Sequence, residues 1–226
     1  RAPRGRGPPG RHAECVFMSG PSAKIIAPRV AAIRQAAVEA GRAGSDIVIF
    51  SIATVVLGET DAEAEAKFAD YRRYIDHEAS LTLMSGWTGV DFSTYELDQQ
   101  VRHVLNDAGR SAMDNVTRAD PDRVWTVREV AEHIGIGGIG PVFVGGPAKV
   151  ADAIEQWVGQ TGVDGLNLAF ALSPESFADV ADMLVPELTR RGRYKKEYQP
   201  GTLREKMFGA GRARLAAPHP AASYRP

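Results

Sequence analysis

Cysteine is almost missing. Cys15 is the only one in 226 residues, so no disulfide can form within the chain. No apolar signal segment opens the sequence, and with one cysteine the expected compartment is a reducing cytoplasm. No stretch approaches 18 uninterrupted apolar residues, so no membrane span is expected. An excess of either charge is also missing. The 27 Lys and Arg against 28 Asp and Glu leave a net charge of −1, which argues against a global nucleic-acid or membrane role. Metal spacing is absent too. The five His stand at 12, 77, 103, 133 and 219, and His77-Glu78 lacks the second His of a helical zinc motif. His103 and Asp107 share a helical face and read as a solvated pair. No GxSxG elbow and no nucleophile triad is visible, and Cys15 falls in an apolar strand where a free thiol is an inert small hydrophobe.

What is there is globular. The chain is 44% hydrophobic and 24% charged, and its length allows one large domain or two small ones with a core that needs no disulfide. The charge is uneven. Residues 190–226 hold ten Lys or Arg against Glu197 and Glu205, and residues 1–12 hold four Arg and no acid. Such basic ends read as solvated tails. The first residue is Arg, and the opening run through Gly10 is unlike the start of a domain, so the chain is expected to begin inside a longer one.

Ala13 to Met18 reads as a short buried strand, punctuated by Ser19-Gly-Pro-Ser22. A helix over about 22–42 follows, with Ile25, Ile26, Val30, Ile33 and Val38 on one face, closed by Gly41 and Gly44. Asp46 to Val56 is too continuously apolar for a half-exposed strand and suits a parallel strand covered on both faces. Thr60 and Glu63 form a capping box ahead of a helix with Ala64, Phe68, Tyr71 and Ile75 on one face. Residues 79–125 lose this regularity, and Thr126 with Glu129 opens a helix to about Ile134. Pro141 to Val144 is a strand. Pro147 starts a helix with Val150, Ile154, Trp157 and Val158 facing in, ending near Gly162. Asp164 to Leu172 is a buried strand, and the helix after Ser173-Pro174 faces inward through Phe177, Val180, Leu184 and Leu188 before Gly192.

The order β-α-β-α-insertion-β-α-β-α means an α/β fold with a parallel sheet and right-handed crossovers. Four such units make a small open sheet or half of an eight-stranded barrel. The expected organisation is an irregular segment 1–12, a partial barrel over 13–192 with an insertion about 79–139, and a basic tail 193–226. Gly135-Ile-Gly137-Gly-Ile-Gly140 matches GxGxxG, but a helix precedes it and Pro141 follows, so it reads as a connector. The carboxyl ends of the strands, where parallel α/β folds place their chemistry, carry Phe17, Thr54, Phe143 and Asn167 to Phe170. That apolar, aromatic set suits a flat conjugated ligand better than acid–base hydrolysis. Arg4-Gly5-Arg6 has the chemistry of an anion site.

Several segments together resemble the C-terminal half of the luciferase-like flavin monooxygenases, in the branch of nitrilotriacetate and dibenzothiophene-sulfone monooxygenases. They are Ala13-Glu-Cys-Val-Phe17, Leu83 to Ser93 with Tyr95-Glu-Leu-Asp98, Val144 to Asp152, Asp164-Gly-Leu-Asn167, and Val185 to Gly192 followed by Tyr198 and Thr202-Leu-Arg-Glu205. The resemblance spans about residues 3–209. It implies a (β/α)8 TIM barrel, present here as its C-terminal half with an insertion after the second strand. It also implies reduced FMN supplied by a separate flavin reductase, O2 as co-substrate, a small organic, organosulfur or aromatic substrate, and homo-oligomers of the full-length protein. By position, Gly5 and Arg6 match a flavin-phosphate loop, and Phe17 matches a place beside the flavin or the substrate. Trp87 and Phe143 match places bordering the substrate. Trp87 stands where some members have His, and Ala2 where the family has Ser. Pro8 and Pro9 are expected to break the helix that should follow the loop. The other readings are a non-catalytic fragment that binds no flavin and an F420-dependent relative, from which the closing motifs point away.

Overall fold

The computed structural model describes residues 7–103 and 110–224. Among them four strands form one parallel sheet: β1 (Cys15–Met18), β2 (Val48–Leu57), β3 (Val142–Gly145) and β4 (Gly165–Ala169). β2 pairs with all three others. Val48–Ser51 meet β1, Phe50–Thr54 meet β4, and Thr54–Leu57 meet β3. The α/β alternation expected from the sequence stands. The strand order differs from a strict succession of neighbours, because β4 pairs with β2 and not with β3. Phe50 and Ser51 pair with both β1 and β4, and Thr54 pairs with both β3 and β4, so β4 takes the edge of β2 opposite to the one that β1 and β3 share.

Helix α1 (Gly7–His12) precedes β1, and α2 (Ala23–Glu39) follows it. The expected helix break at Pro8 and Pro9 does not occur. Both prolines fall in the first turn of α1, where no intrahelical N–H donor is needed. α2 buries Ile25, Ile26, Val30, Ile33 and Ala37, while Val38 is exposed. The inward position is thus 37, four residues beyond Ile33, and Val38 has turned past the contact.

After β2 come α3 (Asp61–Arg72) and α4 (His77–Thr88), then α5 (Arg110–Thr117) and α6 (Val127–Gly137). The region expected to be irregular is therefore partly helical. Asp76 caps α4 by accepting from Ala79 N, and Gly89 ends it at φ 68°. Thr126 and Glu129 form the full capping box of α6. At α3 only half of a box is present: Thr60 accepts from Glu63 N, but the Glu63 carboxylate accepts from Glu59 N. Gly135 and Gly137 lie within α6 and Gly138 caps it at φ 58°, so the GxGxxG run is a helix end and turn. α7 (Pro147–Thr161) follows β3. After β4, α8 (Glu175–Asp179), a π-helical turn (Val180–Leu184) and α9 (Val185–Arg190) run on from one another. The basic tail does not simply trail into solvent. Thr202 and Glu205 cap α10 (Leu203–Phe208), Arg204 pairs with Glu14 at 2.6 Å, and Arg212 with Asp46 at 2.6 Å.

The apolar interior has two parts under the sheet and one in the insertion. Ile47, Ile49, Val55 and Leu57 of the β2 segment pack under α2, α7 and the last helices, through Ile26, Val30, Trp157, Val150, Ile154 and Leu184. The Trp157 indole N–H donates to Ser51 Oγ at 2.9 Å, in full burial. Neighbouring residues alternate to the other face, where Phe50 and Ile52 are half-buried and Phe17 and Asn167 are exposed. The expectation that β1 and β4 are buried strands is thus corrected, and β2, expected to be covered on both faces, is buried on both only from Ala53 to Leu57. Phe177, expected to face inward, is also exposed, because its ring lies against Phe170 instead. The helical segment α4 to α6, read from the sequence as an insertion, has its own core of Met84, Phe92, Met113, Trp125, Val127 and Val130. No helix among the described residues is long and apolar enough to cross a membrane.

Two outcomes follow from this packing. Ser51→Ala leaves the buried Trp157 N–H without an acceptor and is expected to cost about 1–3 kcal/mol in urea unfolding. Adding Trp157→Phe removes the orphan donor, so the two losses should be less than additive. His133 is the second case. Burial, then the Arg123 charge, pushes its pKa down to about 4, against a backbone hydrogen bond at Gly140 that pulls upward. Its Nε2 has no partner, and its ring meets Trp125 edge-on at 5.2 Å. A lowered histidine pKa means the unfolded chain binds the proton first. Stability should be full above about pH 6.5 and fall by roughly 3 kcal/mol as pH drops toward 4. Thermal melts across that window test it, and His133→Phe should flatten this part of the profile.

Candidate functional site

In a parallel sheet the loops after the strands gather at one end, and ligands bind there. Here those loops are Ser19–Ser22 after β1, Gly58–Thr60 after β2, Gly145–Gly146 after β3 and Phe170–Pro174 after β4. Two of them are tied together: Gly146 N donates to Asp61 Oδ1 at 2.7 Å, the side chain that opens α3. The loop after β1 is tied to the insertion. Arg29 on α2 donates to Ser19 O at 3.2 Å and to Asn115 Oδ1 at 2.8 Å, and Asn115 on α5 is buried. Ser22 Oγ donates to Asp120 Oδ2 at 2.9 Å, and Lys24 pairs with Asp122. The insertion therefore sits beside the end of β1, held by polar contacts.

The residues singled out from the sequence fall in different places. Phe17, 66% exposed, stacks on Phe50 with ring centroids 5.3 Å apart and an 18° interplanar angle. The parallel register sets this pair, since Phe17 stands opposite Phe50. Trp87, near the end of α4, is half-buried against the core of the insertion. Phe143 in β3 lies on the helix-covered side, edge-on to Trp157 at 6.1 Å. The three rings thus occupy three separate packing environments. Gly5 and Arg6 lie outside the described residues, as does Asp107, the expected neighbour of His103. His103 instead meets Thr117 Oγ1 at 3.1 Å and Asp114 at 3.6 Å.

Titratable chemistry is sparse at this end of the sheet. Cys15 shares the face of Phe17, and burial followed by the Glu14 charge pushes its thiol up, which makes it a poor nucleophile. No cluster of three His, Cys, Asp or Glu among the described residues has a metal-binding arrangement. The open face presents stacked aromatic rings, a small residue at Gly165 opposite Phe50, and the Asn167 amide opposite Ile52. These can hold a flat, largely apolar ring system and offer it one amide. Arg29 and Asn115 were not singled out from the sequence. Neither belongs to a local motif, and they are 86 residues apart, so no pattern along the chain joins them.

Comparison with known proteins agrees with this geometry. The family model described as luciferase-like monooxygenase matches residues 3–165. The dimethyl-sulfide monooxygenase of Hyphomicrobium sulfonivorans is 46% identical over 193 residues, covering 85% of this chain and 40% of that protein. The crystal structure of DmoA from Hyphomicrobium sulfonivorans superposes with a TM-score of 0.85 at 41% identity, over 100% of this chain and 47% of that one. A riboflavin lyase crystallised with modified FMN and riboflavin gives a TM-score of 0.84 at 30% identity, over 100% of this chain and 49% of that one. The chain thus spans less than half the length of the relatives it matches. On the match over residues 3–165, it belongs to the luciferase-like monooxygenase family.

Proposed function

We propose that this chain is the C-terminal half of a (β/α)8 barrel that acts as the oxygenase of a two-component flavin system. A separate reductase supplies reduced FMN, and the products of O2 activation oxidise a small organic substrate in the cytoplasm. The observation that carries this reading is the uncovered sheet face around the Phe17–Phe50 stack. Half a barrel leaves such a face where a closed barrel has its interior. The names of the relatives support the chemistry: one is a dimethyl-sulfide monooxygenase, and another was crystallised with modified FMN.

The residues present fit a flavin. A stacked, accessible aromatic pair beside a glycine suits a flat ring, and the only thiol on that face stays protonated. Phe17 would hold the ring, and Gly5 and Arg6 its phosphate. When bound, reduced FMN supplies the electrons that activate oxygen. The chain's own part is to bind, orient and keep water out. Trp87 would border the substrate from the insertion. Phe143, backed by Trp157, would stiffen the wall behind it. The insertion, fixed by Arg29 and Asn115, would shield the β1 end from solvent. An apolar substrate such as an organosulfur compound fits these surroundings, and the full-length protein would assemble as a homo-oligomer.

Anaerobic titration with reduced FMN is the direct test. Saturable binding is expected, and Phe17→Ala should weaken it at least tenfold. No binding of either redox form at high concentration would favour a non-catalytic chain. In a chimera behind the first half of the dimethyl-sulfide monooxygenase, with a reductase present, Trp87→Ala should raise KM for the substrate and leave FMN affinity unchanged.

A further inference from the structure

One cleft shares no lining residue with the Phe17–Phe50 stack. It has a volume of about 290 Å³ and sits between the end of α3, the end of α6 and the loop after β4. Its walls are Tyr71, Tyr74, Ile75, Phe170 and Leu172, with Gly135 on the α6 side. Large apolar side chains are unusually exposed around it: Tyr74 by 76%, Phe170 by 52% and Leu172 by 44%. Phe177 adds to this group, its ring 4.7 Å from that of Phe170. Single exposed apolar residues need no explanation, but a contiguous set at the carboxyl end of a parallel strand marks a binding surface.

The walls are held in shape. Leu172 N donates to Ser176 Oγ at 3.1 Å, and Ser176 N donates to Leu172 O at 3.0 Å, which closes the loop on itself. α3 tightens at its end, with Tyr74 N bonded to Tyr71 O at 3.1 Å and Ile75 N to Arg72 O at 3.3 Å. Gly135 lets α6 come close: a Cβ there would stand 2.7 Å from Ile75 Cγ2. The charge beside the cleft is negative. Lys67 is shared among Asp179 at 3.2 Å, Glu175 at 3.7 Å and Glu63 at 3.9 Å, and Asp70 lines the cleft itself, paired with Arg73. Burial, and then the Glu175 charge, pushes the Tyr71 phenol up, against the Lys67 charge.

We propose that this cleft is a binding site for an uncharged, planar aromatic molecule of one or two fused rings, and that it rejects aromatic carboxylates. The volume lies at the small end of ligand pockets, roughly 300–1,000 Å³, which fits a bicyclic ring and little more. Ring walls give stacking contacts, and the surplus of carboxylates repels an anion. The site needs no flavin.

The test is isothermal titration of the full chain with 2-naphthol and with 2-naphthoate, which share a ring system and differ in charge. Saturable 1:1 binding of 2-naphthol is expected, with 2-naphthoate at least tenfold weaker. Phe170→Ala and, independently, the exposed Tyr74→Ala should each weaken 2-naphthol at least tenfold. Tyr224→Ala, an exposed aromatic in the tail, should change nothing. Non-saturable uptake, equal affinity for the two probes, full affinity in both cleft variants, or an equal loss in Tyr224→Ala each overturns the proposal. A chain that binds 2-naphthol but not FMN would leave this site standing and remove only the monooxygenase reading.

Discussion

The structure depends on the pairing of one long strand. β2 carries hydrogen-bonded partners over nearly its whole length, and without it β1, β3 and β4 have no described strand to pair with. Its side chains also divide the molecule. Ile49, Ser51, Ala53, Val55 and Leu57 are buried toward the helices, and Phe50 and Ile52 look the other way and stay half-open. A period of two residues thus turns one apolar run into a floor for the helices and a platform for the opposite face. The Ser51–Trp157 hydrogen bond fixes which way round this happens. A polar side chain on the helix side is tolerated only because the indole N–H of α7 meets it.

The insertion obeys a different constraint. Its core shares no buried residue with the two clusters under the sheet, and polar contacts tie it to the β1 end. Those contacts are unequal. Lys24–Asp122 is solvent-exposed on both sides and adds little. Arg29 reaches a buried Asn115 and a loop carbonyl, so breaking it would strand a buried amide. Ser22–Asp120, Arg72–Glu132 and the close approach of Gly135 to Ile75 add to it, so the helical unit is held to α2 and α3 by several contacts.

Much of this was legible in the sequence, and what was not has physical causes. The alternation of strands and amphipathic helices, the capping box at Thr126 and Glu129, and the inward Val150, Ile154 and Trp157 all rest on local patterns, and all appear in the structure. The open faces of β1 and β4 are not legible because a short apolar run carries no sign of which side is covered. That depends on what packs across the sheet. Residues 79–125 read as irregular because their apolar side chains serve a core closed between distant helices, with Met84 and Trp125 in one cluster though 41 positions apart. The tail reads as solvated in the sequence because two of its Arg residues have their partners, Glu14 and Asp46, far away along the chain. Phe17, Trp87 and Phe143 were chosen by position, and the structure separates them because register and core packing assign each ring a different neighbour.

The side chains at the mouth of the sheet are already committed to structure. Asp61 holds the Gly146 amide, Arg29 holds Ser19 and Asn115, and the Cys15 thiol is kept protonated by burial and Glu14. The histidines of the insertion are equally removed, since His133 is enclosed with its pKa pushed down to about 4 and His103 is bound to Thr117. A surface of this kind has little proton-transfer capacity to offer a substrate. What it has is shape and aromatic contact. Those are the qualities a protein contributes when electrons and reactivity come from a bound group, and they are of little use to a hydrolase, which must supply its own acid and base. Membership of an oxygenase family and the physical character of the mouth therefore point the same way for one reason. The fold spends its polar residues on holding its loops and leaves the reactive face to rings.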